Sequence, residues 1–386
     1  MNEQDMVNNC KNNESSEKFE VIDKNSDLLN VLTPELIANF RQNRLTKVVN
    51  TLVGELQLNR TVADRMLTSN LTLAEVNDII DSDKIGRVVS VLENLKEARI
   101  SSIAEDIALG RTDEQGRTVV PKIVLIAGPS SSGKTTFCKK MVYALQQQGL
   151  DPVMLSLDDY YLSYEDTPLD ENGEYDFESL YALDLTLLQT HLRQLINGEA
   201  VTLPRYVFGE NRREWHEKPL QMNDNSILLI EGIHGLNPDL TGNLDSSLLF
   251  RIYISGTALK VNKDGRQFMC TDNRLIRRMV RDYKYRHTSA QATISRWQSV
   301  RRGEQRWIVP YQRYADANIN TSFPYEIGLL RHDAIPLLEA VQKGEPEYFE
   351  AQRLLRIVSE VHPVSLRLVP KYSIMREFLG GSGYEY

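Results

Sequence analysis

The stretch that decides the fold reads Gly128-Pro129-Ser130-Ser131-Ser132-Gly133-Lys134-Thr135. It fits the pattern G-x-x-x-x-G-K-[ST] at every fixed position. The apolar run Ile123–Ala127 precedes it, and a stretch of helical character, residues 136–148, follows it. This order of strand, loop and helix is the context that separates the motif from a glycine- and serine-rich surface turn. The sequence therefore predicts an α/β fold built around a loop that binds phosphate.

The residue types of this loop suit a nucleoside triphosphate. Glycines let backbone N–H groups converge on phosphate oxygens, and the start of the following helix adds a favourable dipole. We expect Lys134 to reach the β- and γ-phosphates and the Thr135 hydroxyl to bind Mg²⁺. ATP or GTP is thus the predicted phosphoryl donor, and Mg²⁺ the required ion. The predicted nucleotide-binding residues are Gly128, Pro129, Ser130, Ser131, Ser132, Gly133, Lys134, Thr135 and Thr136.

The composition of the 386-residue chain is ordinary for a soluble protein, with 41% hydrophobic and 25% charged residues. A net charge of −8 argues against a general affinity for nucleic acid, because no overall basic field attracts phosphate backbones. Cys10, Cys138 and Cys270 lack the spacing of a zinc site or a disulfide framework and suit a reducing compartment. No apolar run has the length of a signal-peptide core or a membrane span. We expect a cytoplasmic protein without nucleic-acid or membrane partners. The sequence leaves open whether it forms a homo-oligomer.

Four segments follow from the patterning along the chain. Residues 1–32 are polar and predict a disordered tail, since they cannot bury enough apolar surface to offset the entropy of ordering. Residues 33–121 predict a helical N-terminal segment that ends in a polar linker. In residues 122–325 short apolar runs alternate with helical stretches, which favours a parallel sheet with helices on both faces. Residues 326–386 predict a helical C-terminal extension. The expected strands are 123–127, 153–157, 227–230, 250–254 and 317–319.

Acidic residues follow two of the expected strands. Asp158 and Asp159 come after the second strand, where open α/β sheets bind ligands. An acid there can accept the proton of a phosphoryl acceptor or help to hold a metal, or it can cap the next segment. Glu231 ends the run Leu228-Leu229-Ile230 in the manner of a Walker B strand, although the usual acid there is Asp. A water-mediated metal contact and a turn cap both fit Glu231.

Arginines are concentrated between residues 271 and 306, with nine Arg and one Lys against three acids. Arg274, Arg277, Arg278 and Arg281 fall at i, i+3, i+4 and i+7, which places them near one helical face. Such a cluster suits a lid that neutralises phosphate charge during transfer, and it also suits a solvated charged face. Next to a phosphate-binding loop the lid is the better explanation.

The stretch Pro204-Arg205-Tyr206-Val207-Phe208 alternates polar and apolar residues and predicts one arm of a hairpin. Tyr206 in this arm could stack on a planar base. It could equally be an ordinary cross-strand aromatic residue.

Taken together, these segments resemble the uridine kinase branch of the phosphoribulokinase/uridine kinase family. The resemblance runs from about residue 122 to residue 322, just over half of the chain. Residues 293–297 and 299–304 look like a longer bacterial-type nucleoside kinase variant. Besides the phosphate-binding loop, the motifs that carry the resemblance are Leu157-Asp158-Asp159-Tyr160-Tyr161, Tyr175-Asp176-Phe177-Glu178, Pro204-Arg205-Tyr206, Glu231-Gly232-Ile233 and Arg274-Leu275-Ile276-Arg277-Arg278-Met279-Val280-Arg281-Asp282.

The resemblance implies roles for individual residues. Asp158 is implied as the general base for a ribose 5′-hydroxyl, and Glu178, where the family usually has Asp, as the acid that grips the 2′- and 3′-hydroxyls. Tyr206 would contact the base. Arg277, Arg278 and Arg281 would supply lid contacts, with the first two counted as catalytic together with Asp158 and Lys134. The family often places a His after the tyrosine, where this chain has Asn211 or Arg212, so the base preference stays open.

The function expected from these residues is transfer of the γ-phosphoryl group of ATP or GTP to the 5′-hydroxyl of uridine or cytidine. The expected core is a five-stranded parallel sheet with flanking helices, a substrate hairpin and an arginine-bearing lid, and Thr135 and Glu231 are the expected metal-binding residues. One alternative is a sugar-phosphate kinase of the phosphoribulokinase type, for which Arg205, Arg212 and Arg213 could bind the second phosphate. Another is a nucleotide-binding regulator without turnover.

Overall fold

The computed structural model of this chain describes Gly54 and residues 71–112, 116–171, 173–207, 210, 212–256, 260–261, 267–268 and 271–385. The predicted tail, residues 1–32, and nearly all of residues 33–70 of the predicted helical segment lie outside the described residues. The described strands are β1 (Arg111–Thr112), β2 (Thr118–Val119), β3 (Ile123–Ala127), β4 (Asp151–Ser156), β5 (Pro204–Val207), β6 (Arg212–Trp215), β7 (Ser226–Glu231), β8 (Leu249–Ser255), β9 (Lys260–Val261), β10 (Gln267–Phe268) and β11 (Ala317–Asn320). The described helices are α1 (Leu73–Asp81), α2 (Ile85–Leu109), α3 (Lys134–Gln146), α4 (Leu185–Ile196), α5 (Pro238–Thr241), α6 (Asp272–Arg286), α7 (Ala290–Trp307), α8 (Glu326–Glu339), α9 (Tyr348–Glu360) and α10 (Arg376–Leu379).

A five-stranded sheet forms the centre of the fold, in the order β11-β8-β3-β7-β4. Every neighbouring pair in it is parallel, which confirms the predicted α/β fold and its five strands. All five residues of β3 are buried, as expected for the middle strand of a sheet covered on both faces. Because parallel strands end at the same edge, the loop after β3, the turn after β4 and the last residue of β7 meet there.

Helices cover both faces of this sheet. On one face α2 and α3 pack against β3, β8 and β11, with Ile103 and Phe137 fully buried. On the other face α4 packs through Leu188 and Leu192. The side chain of Asp184, just before α4, accepts a hydrogen bond from the Leu187 N–H and so fixes where that helix begins.

A separate hydrophobic core lies beside the sheet and joins distant parts of the chain. It contains buried residues of α1 and the first part of α2, of α6 and α7, and of α8, α9 and α10. The N-terminal helices, the arginine-rich helices and the C-terminal extension therefore share one apolar interior, across the boundaries predicted at residues 121 and 325. The predicted linker contains the short antiparallel pair β1–β2, with Arg111 opposite Val119.

Four residues of the hairpin arm expected over 204–208 form β5 (Pro204–Val207), and Phe208 lies outside the described residues. Strand β5 pairs antiparallel with β6, with Tyr206 opposite Arg213. In the part of the chain described, no helix is both long and apolar enough to cross a membrane.

Candidate active site

The loop between β3 and α3 has the conformation that its glycines permit. A Cβ atom at Gly128 would clash with the carbonyl oxygen of Ile254. Gly133 has φ +84°, in the left-handed region that glycine adopts without a steric penalty. Ser131 also has a positive φ, at 59°. The Lys134 side chain folds back over the loop and donates to the Pro129 carbonyl oxygen at 3.2 Å.

Residues after β11 and in α6 hold this loop through hydrogen bonds to its backbone. The Thr321 hydroxyl, just after β11, lies 2.6 Å from the Ser132 carbonyl oxygen. Arg274 donates from Nη1 to the Ser130 carbonyl oxygen at 2.9 Å. Both contacts use carbonyl oxygens of the loop and none of its N–H groups. The loop backbone is therefore held in place at Ser130 and Ser132.

Glu231 and Thr135, the two residues predicted to bind a metal, are in hydrogen-bond contact. The Thr135 hydroxyl donates to Oε1 of Glu231 at 3.4 Å, across the gap between α3 and the end of β7. Burial raises the pKa of Glu231 to about 7, although the nearby Lys134 opposes the shift. Oxygen donors of this kind fit Mg²⁺, which keeps several waters and binds through one or two protein groups plus phosphate oxygens. Among the described residues there is no cluster of three or more His, Cys, Asp or Glu side chains that could hold a metal ion.

Asp158 and Asp159 differ in what they face, although they are neighbours in the short helical turn Leu157–Tyr160. Asp158 is exposed, and it follows β4 at the carboxyl edge of the sheet. Desolvation by the surrounding protein raises its pKa, and Lys134 opposes that shift. Asp159 instead accepts a hydrogen bond from the Tyr206 N–H at 3.2 Å and so ties the turn to β5. Of the two, only Asp158 is directed toward the phosphate-binding lysine.

Glu178 lies between the arginine-rich helices and the cleft. Its Cβ is only 2.6 Å from where a Cβ at Gly303 would be, so α7 approaches it closely. Burial raises the pKa of Glu178 to about 7; Glu304 adds to this, whereas Arg278 opposes it. A carboxyl group that titrates near neutral pH at a cleft is typical of a functional site.

Two of the four arginines of α6, Arg274 and Arg277, are buried in ion pairs. Arg274 forms a two-point ion pair with Glu304, at 2.5 and 2.8 Å. Arg277 is fully buried and donates to Glu326 at 2.5 Å and to the Thr321 carbonyl oxygen at 3.1 Å. This placement differs from the lid role expected for Arg277, because its guanidinium faces the base of the loop rather than the cleft.

Arg278 and Arg281 lie on the cleft side of α6. Arg278 donates from Nη1 to the Ser130 hydroxyl of the loop at 2.7 Å. Arg281 pairs with Asp282 at 2.7 Å, and its positive charge helps to lower the pKa of Lys134, after the larger effect of burial. Both arginines therefore place their charge close to the phosphate-binding loop.

Aromatic side chains form a wall beside Asp158 and Glu178. The Tyr161 ring lies 6.0 Å from the Tyr206 ring and 6.4 Å from the Phe177 ring, centroid to centroid. Tyr164 and Tyr175 extend the wall, with centroids 4.0 Å apart. The hairpin that carries Tyr206 is held by Arg213, which pairs with Asp184 and donates to the Tyr161 carbonyl oxygen, both at 3.0 Å.

The sequence interpretation missed two sets of residues. Tyr161 and Tyr175 belong to the motifs that carry the family resemblance, but their spacing alone assigned them no role beside Tyr206. Glu377, in α10, accepts hydrogen bonds from Thr136 at the start of α3. Nothing local to Glu377 in the sequence points to the phosphate-binding loop, since 241 positions separate the two residues.

Comparisons with known proteins identify the family of this chain. Residues 123–325, more than half of the chain, match the phosphoribulokinase/uridine kinase family. The chain is 30% identical over 200 residues to a uridine kinase of Halalkalibacterium halodurans, a match that covers 52% of this chain and 85% of the relative. A Staphylococcus aureus uridine kinase is 31% identical over 196 residues, which is 50% of this chain and 84% of that one. A solved structure titled as a possible uridine kinase from Bacillus stearothermophilus covers 42% of this chain and 80% of its own, with 23% identity and a TM-score of 0.34. The chain belongs to the phosphoribulokinase/uridine kinase family.

Proposed function

We propose that this kinase transfers the γ-phosphoryl group of ATP or GTP to the 5′-hydroxyl of uridine or cytidine. The observation that carries the proposal is the position of Asp158, which follows β4 at the same sheet edge as the phosphate-binding loop and lies close enough to Lys134 for the two charges to interact. A donor phosphate bound at the loop and an acceptor hydroxyl beside Asp158 would meet between these two side chains. The relatives named uridine kinase support the choice of acceptor.

On the donor side of the reaction, the protein would position the phosphates and neutralise their charge. Loop N–H groups and Lys134 would hold the phosphates, with Arg278 and Arg281 neutralising charge from the cleft side of α6. Mg²⁺, held by Thr135 with Glu231 nearby, would neutralise charge on the β- and γ-phosphates when bound. Arg277 would act as a positioning residue, because it fixes Thr321 and the base of the loop.

Residues on the acceptor side would supply the general base and the contacts that hold the substrate. Asp158 would take the proton of the 5′-hydroxyl while that oxygen forms a bond to the γ-phosphorus and the bond to the β,γ-bridging oxygen breaks. The raised pKa of Asp158 makes it a better proton acceptor than an ordinary carboxylate. Glu178 would hold the ribose 2′- and 3′-hydroxyls, and the aromatic wall with Tyr206 would stack on the base.

The contacts of the hairpin arginines favour a nucleoside over a sugar phosphate as acceptor. A sugar phosphate needs a free positive charge in the acceptor pocket. Arg213 is paired with Asp184 at 3.0 Å, and Arg212 is paired with Glu210 and Glu214, both at 2.6 Å. Two of the three arginines suggested for that role are thus neutralised within the protein.

An acceptor screen tests the proposal. Purified protein with Mg²⁺ and ATP or GTP is offered uridine, cytidine, adenosine and ribulose 5-phosphate, and product is followed by transfer of label from the γ-position. We expect labelled UMP and CMP, and no product with Lys134→Ala. Transfer to ribulose 5-phosphate alone would favour the sugar-phosphate kinase. Tight ATP binding without transfer to any acceptor would favour a regulator.

A further inference from the structure

The C-terminal segment, residues 373–385, lies against the start of the phosphate-binding helix α3. Oε2 of Glu377 accepts a hydrogen bond from the Thr136 N–H at 3.2 Å and another from the Thr136 hydroxyl at 2.6 Å. Thr136 is fully buried, so its hydrogen bonds with the Glu377 carboxylate are not formed at the protein surface. Ile374 packs onto the last glycine of the loop, with its Cγ2 2.5 Å from where a Cβ at Gly133 would be. The segment therefore touches both the loop and the helix that follows it.

Several contacts hold the segment in this position. The Ser373 hydroxyl donates to Glu93 of α2 at 2.5 Å, and Lys284 of α6 donates to the Leu379 carbonyl oxygen at 2.5 Å. At the far end, the Tyr384 ring lies 6.1 Å from the Tyr143 ring of α3. The Lys139 ammonium donates to the Glu385 carbonyl oxygen. Contacts with α2, α3 and α6 thus hold Glu377 beside the phosphate-binding helix.

The position of Glu377 conflicts with a bound nucleotide. The first N–H groups of a helix have no partner within it, and in a phosphate-binding loop they cradle the α- and β-phosphates. Thr136 is the third residue of α3, and its N–H and hydroxyl are both turned to the Glu377 carboxylate. The Glu377 charge also acts on Lys134, whose pKa it helps to raise against the larger effect of burial. A carboxylate and a phosphate cannot share these donors, because both are negative and need the same space.

We propose that residues 373–385 are an intramolecular competitor of the nucleotide, with the Glu377 carboxylate standing in for a phosphate at Thr136. The inference rests on the proposed nucleotide-binding function. Nucleotide binds only when Glu377 leaves Thr136, so the apparent affinity falls by the fraction of molecules in which the segment is displaced. Any contact that releases the segment from α2 or α6 raises donor affinity without changing the loop itself.

Nucleotide titrations of Glu377 variants test the competition. Glu377→Gln keeps the shape and removes the charge, Glu377→Ala removes the contact, and Glu360→Ala is a matched control at an exposed glutamate of α9. We expect Glu377→Ala to bind ATP roughly three- to tenfold more tightly than wild type, the size of a modest conformational cost. Glu377→Gln should show a smaller gain in the same direction, and the control should show none. Melting temperatures establish that each variant is folded, and Glu377→Gln decides the result should Glu377→Ala not fold.

Hydrogen exchange of the wild-type protein provides a readout independent of the variants. A non-hydrolysable ATP analogue should increase exchange in residues 373–385 while it protects the loop. Unchanged or weakened ATP affinity in folded Glu377 variants would overturn the competition and leave the kinase assignment standing, as would a segment that becomes more protected with nucleotide. Failure of wild type and variants alike to bind ATP would contradict the proposed function itself.

Discussion

The phosphate-binding loop and the arginine helix α6 differ in how far residue type determines role. In the loop, the motif assigns a task to each fixed position, and the positive φ of Gly133 and the position of Lys134 agree with it. In α6, four arginines at helical spacing have the same chemistry, yet Arg274 and Arg277 are buried in ion pairs while Arg278 and Arg281 lie toward the cleft. A backbone motif carries its geometry with it, whereas the role of a long charged side chain depends on the neighbours that it meets.

The strongest test of this contrast is Arg278→Ala. If Arg278 neutralises charge that develops on the transferred phosphoryl group, its loss should lower kcat by on the order of 10³-fold, as for other phosphate-directed arginines. ATP affinity should change much less, because the loop N–H groups still hold the donor. Arg302→Ala, at an exposed site on α7, serves as control. Near-normal turnover of Arg278→Ala would place Arg278 among the structural residues.

Arg277→Ala should instead act on stability. It leaves Glu326 fully buried without its partner, which costs on the order of 3–5 kcal/mol of unfolding free energy. Guanidinium denaturation measures the loss, and turnover per folded molecule should stay within about tenfold of wild type. The double variant Arg277→Met/Glu326→Gln should recover much of the stability, since neither charge remains. A stable Arg277→Ala protein with abolished turnover would show that Arg277 acts on the phosphates.

The acceptor side is tested by Glu178→Gln as a function of pH. The folded-state pKa of Glu178 is raised from 4.5 to about 7, so the folded protein holds this proton more tightly than the unfolded chain. The contribution of this bound proton to the free energy of unfolding is complete below about pH 4.5 and is lost as the pH rises through 7. Glu178→Gln should therefore be more stable than wild type at pH 8, by on the order of 1–3 kcal/mol, and the gain should vanish near pH 5.

Denaturation curves at pH 5 and pH 8 measure this difference, with the exposed Glu165→Gln as control. The same Glu178→Gln variant should raise the KM for the nucleoside more than it changes the KM for ATP. Equal stability of wild type and Glu178→Gln at both pH values would mean that the carboxyl group is solvated and that burial does not raise its pKa.

The smallest effect is expected for removal of residues 1–32. This segment is polar and shares no motif with the kinase core. Its deletion should leave kcat/KM within about threefold of wild type, less than 1 kcal/mol in transition-state terms. Steady-state kinetics on the truncated protein measure this. A collapse in activity of a folded truncated protein would show that the segment contributes to the site.

Local pattern was enough to predict the sheet and the loop. The five expected strands agree with the structure to within two residues at each end, because each is a short apolar run bounded by polar residues. The acids at the strand ends followed from the rule that parallel strands share a carboxyl edge. Periodicity placed the four arginines near one face of α6, but it could not separate Arg277 from Arg278. That separation depends on Glu326, 49 residues from Arg277.

Long-range packing could not be predicted from the sequence for the same reason. The core shared by α1, α6 and α9 joins segments that carry no signal of one another, beyond each having an apolar face. Glu377 reads as one more acid in a helical tail until folding brings it to Thr136. Contacts of this kind are set by the whole fold, since no residue near them in the chain encodes the partner.

The most direct test of the account is single-turnover transfer from γ-labelled ATP to uridine by wild type, Asp158→Asn and Asp159→Asn. The account predicts labelled UMP from wild type and a transfer rate lower by roughly 10²- to 10⁴-fold in Asp158→Asn, with ATP affinity preserved, because only the proton acceptor is lost. Asp159→Asn should slow transfer far less, since Asp159 is turned to the Tyr206 N–H. Transfer by Asp158→Asn at the wild-type rate, or label in no nucleoside at all, would contradict the account.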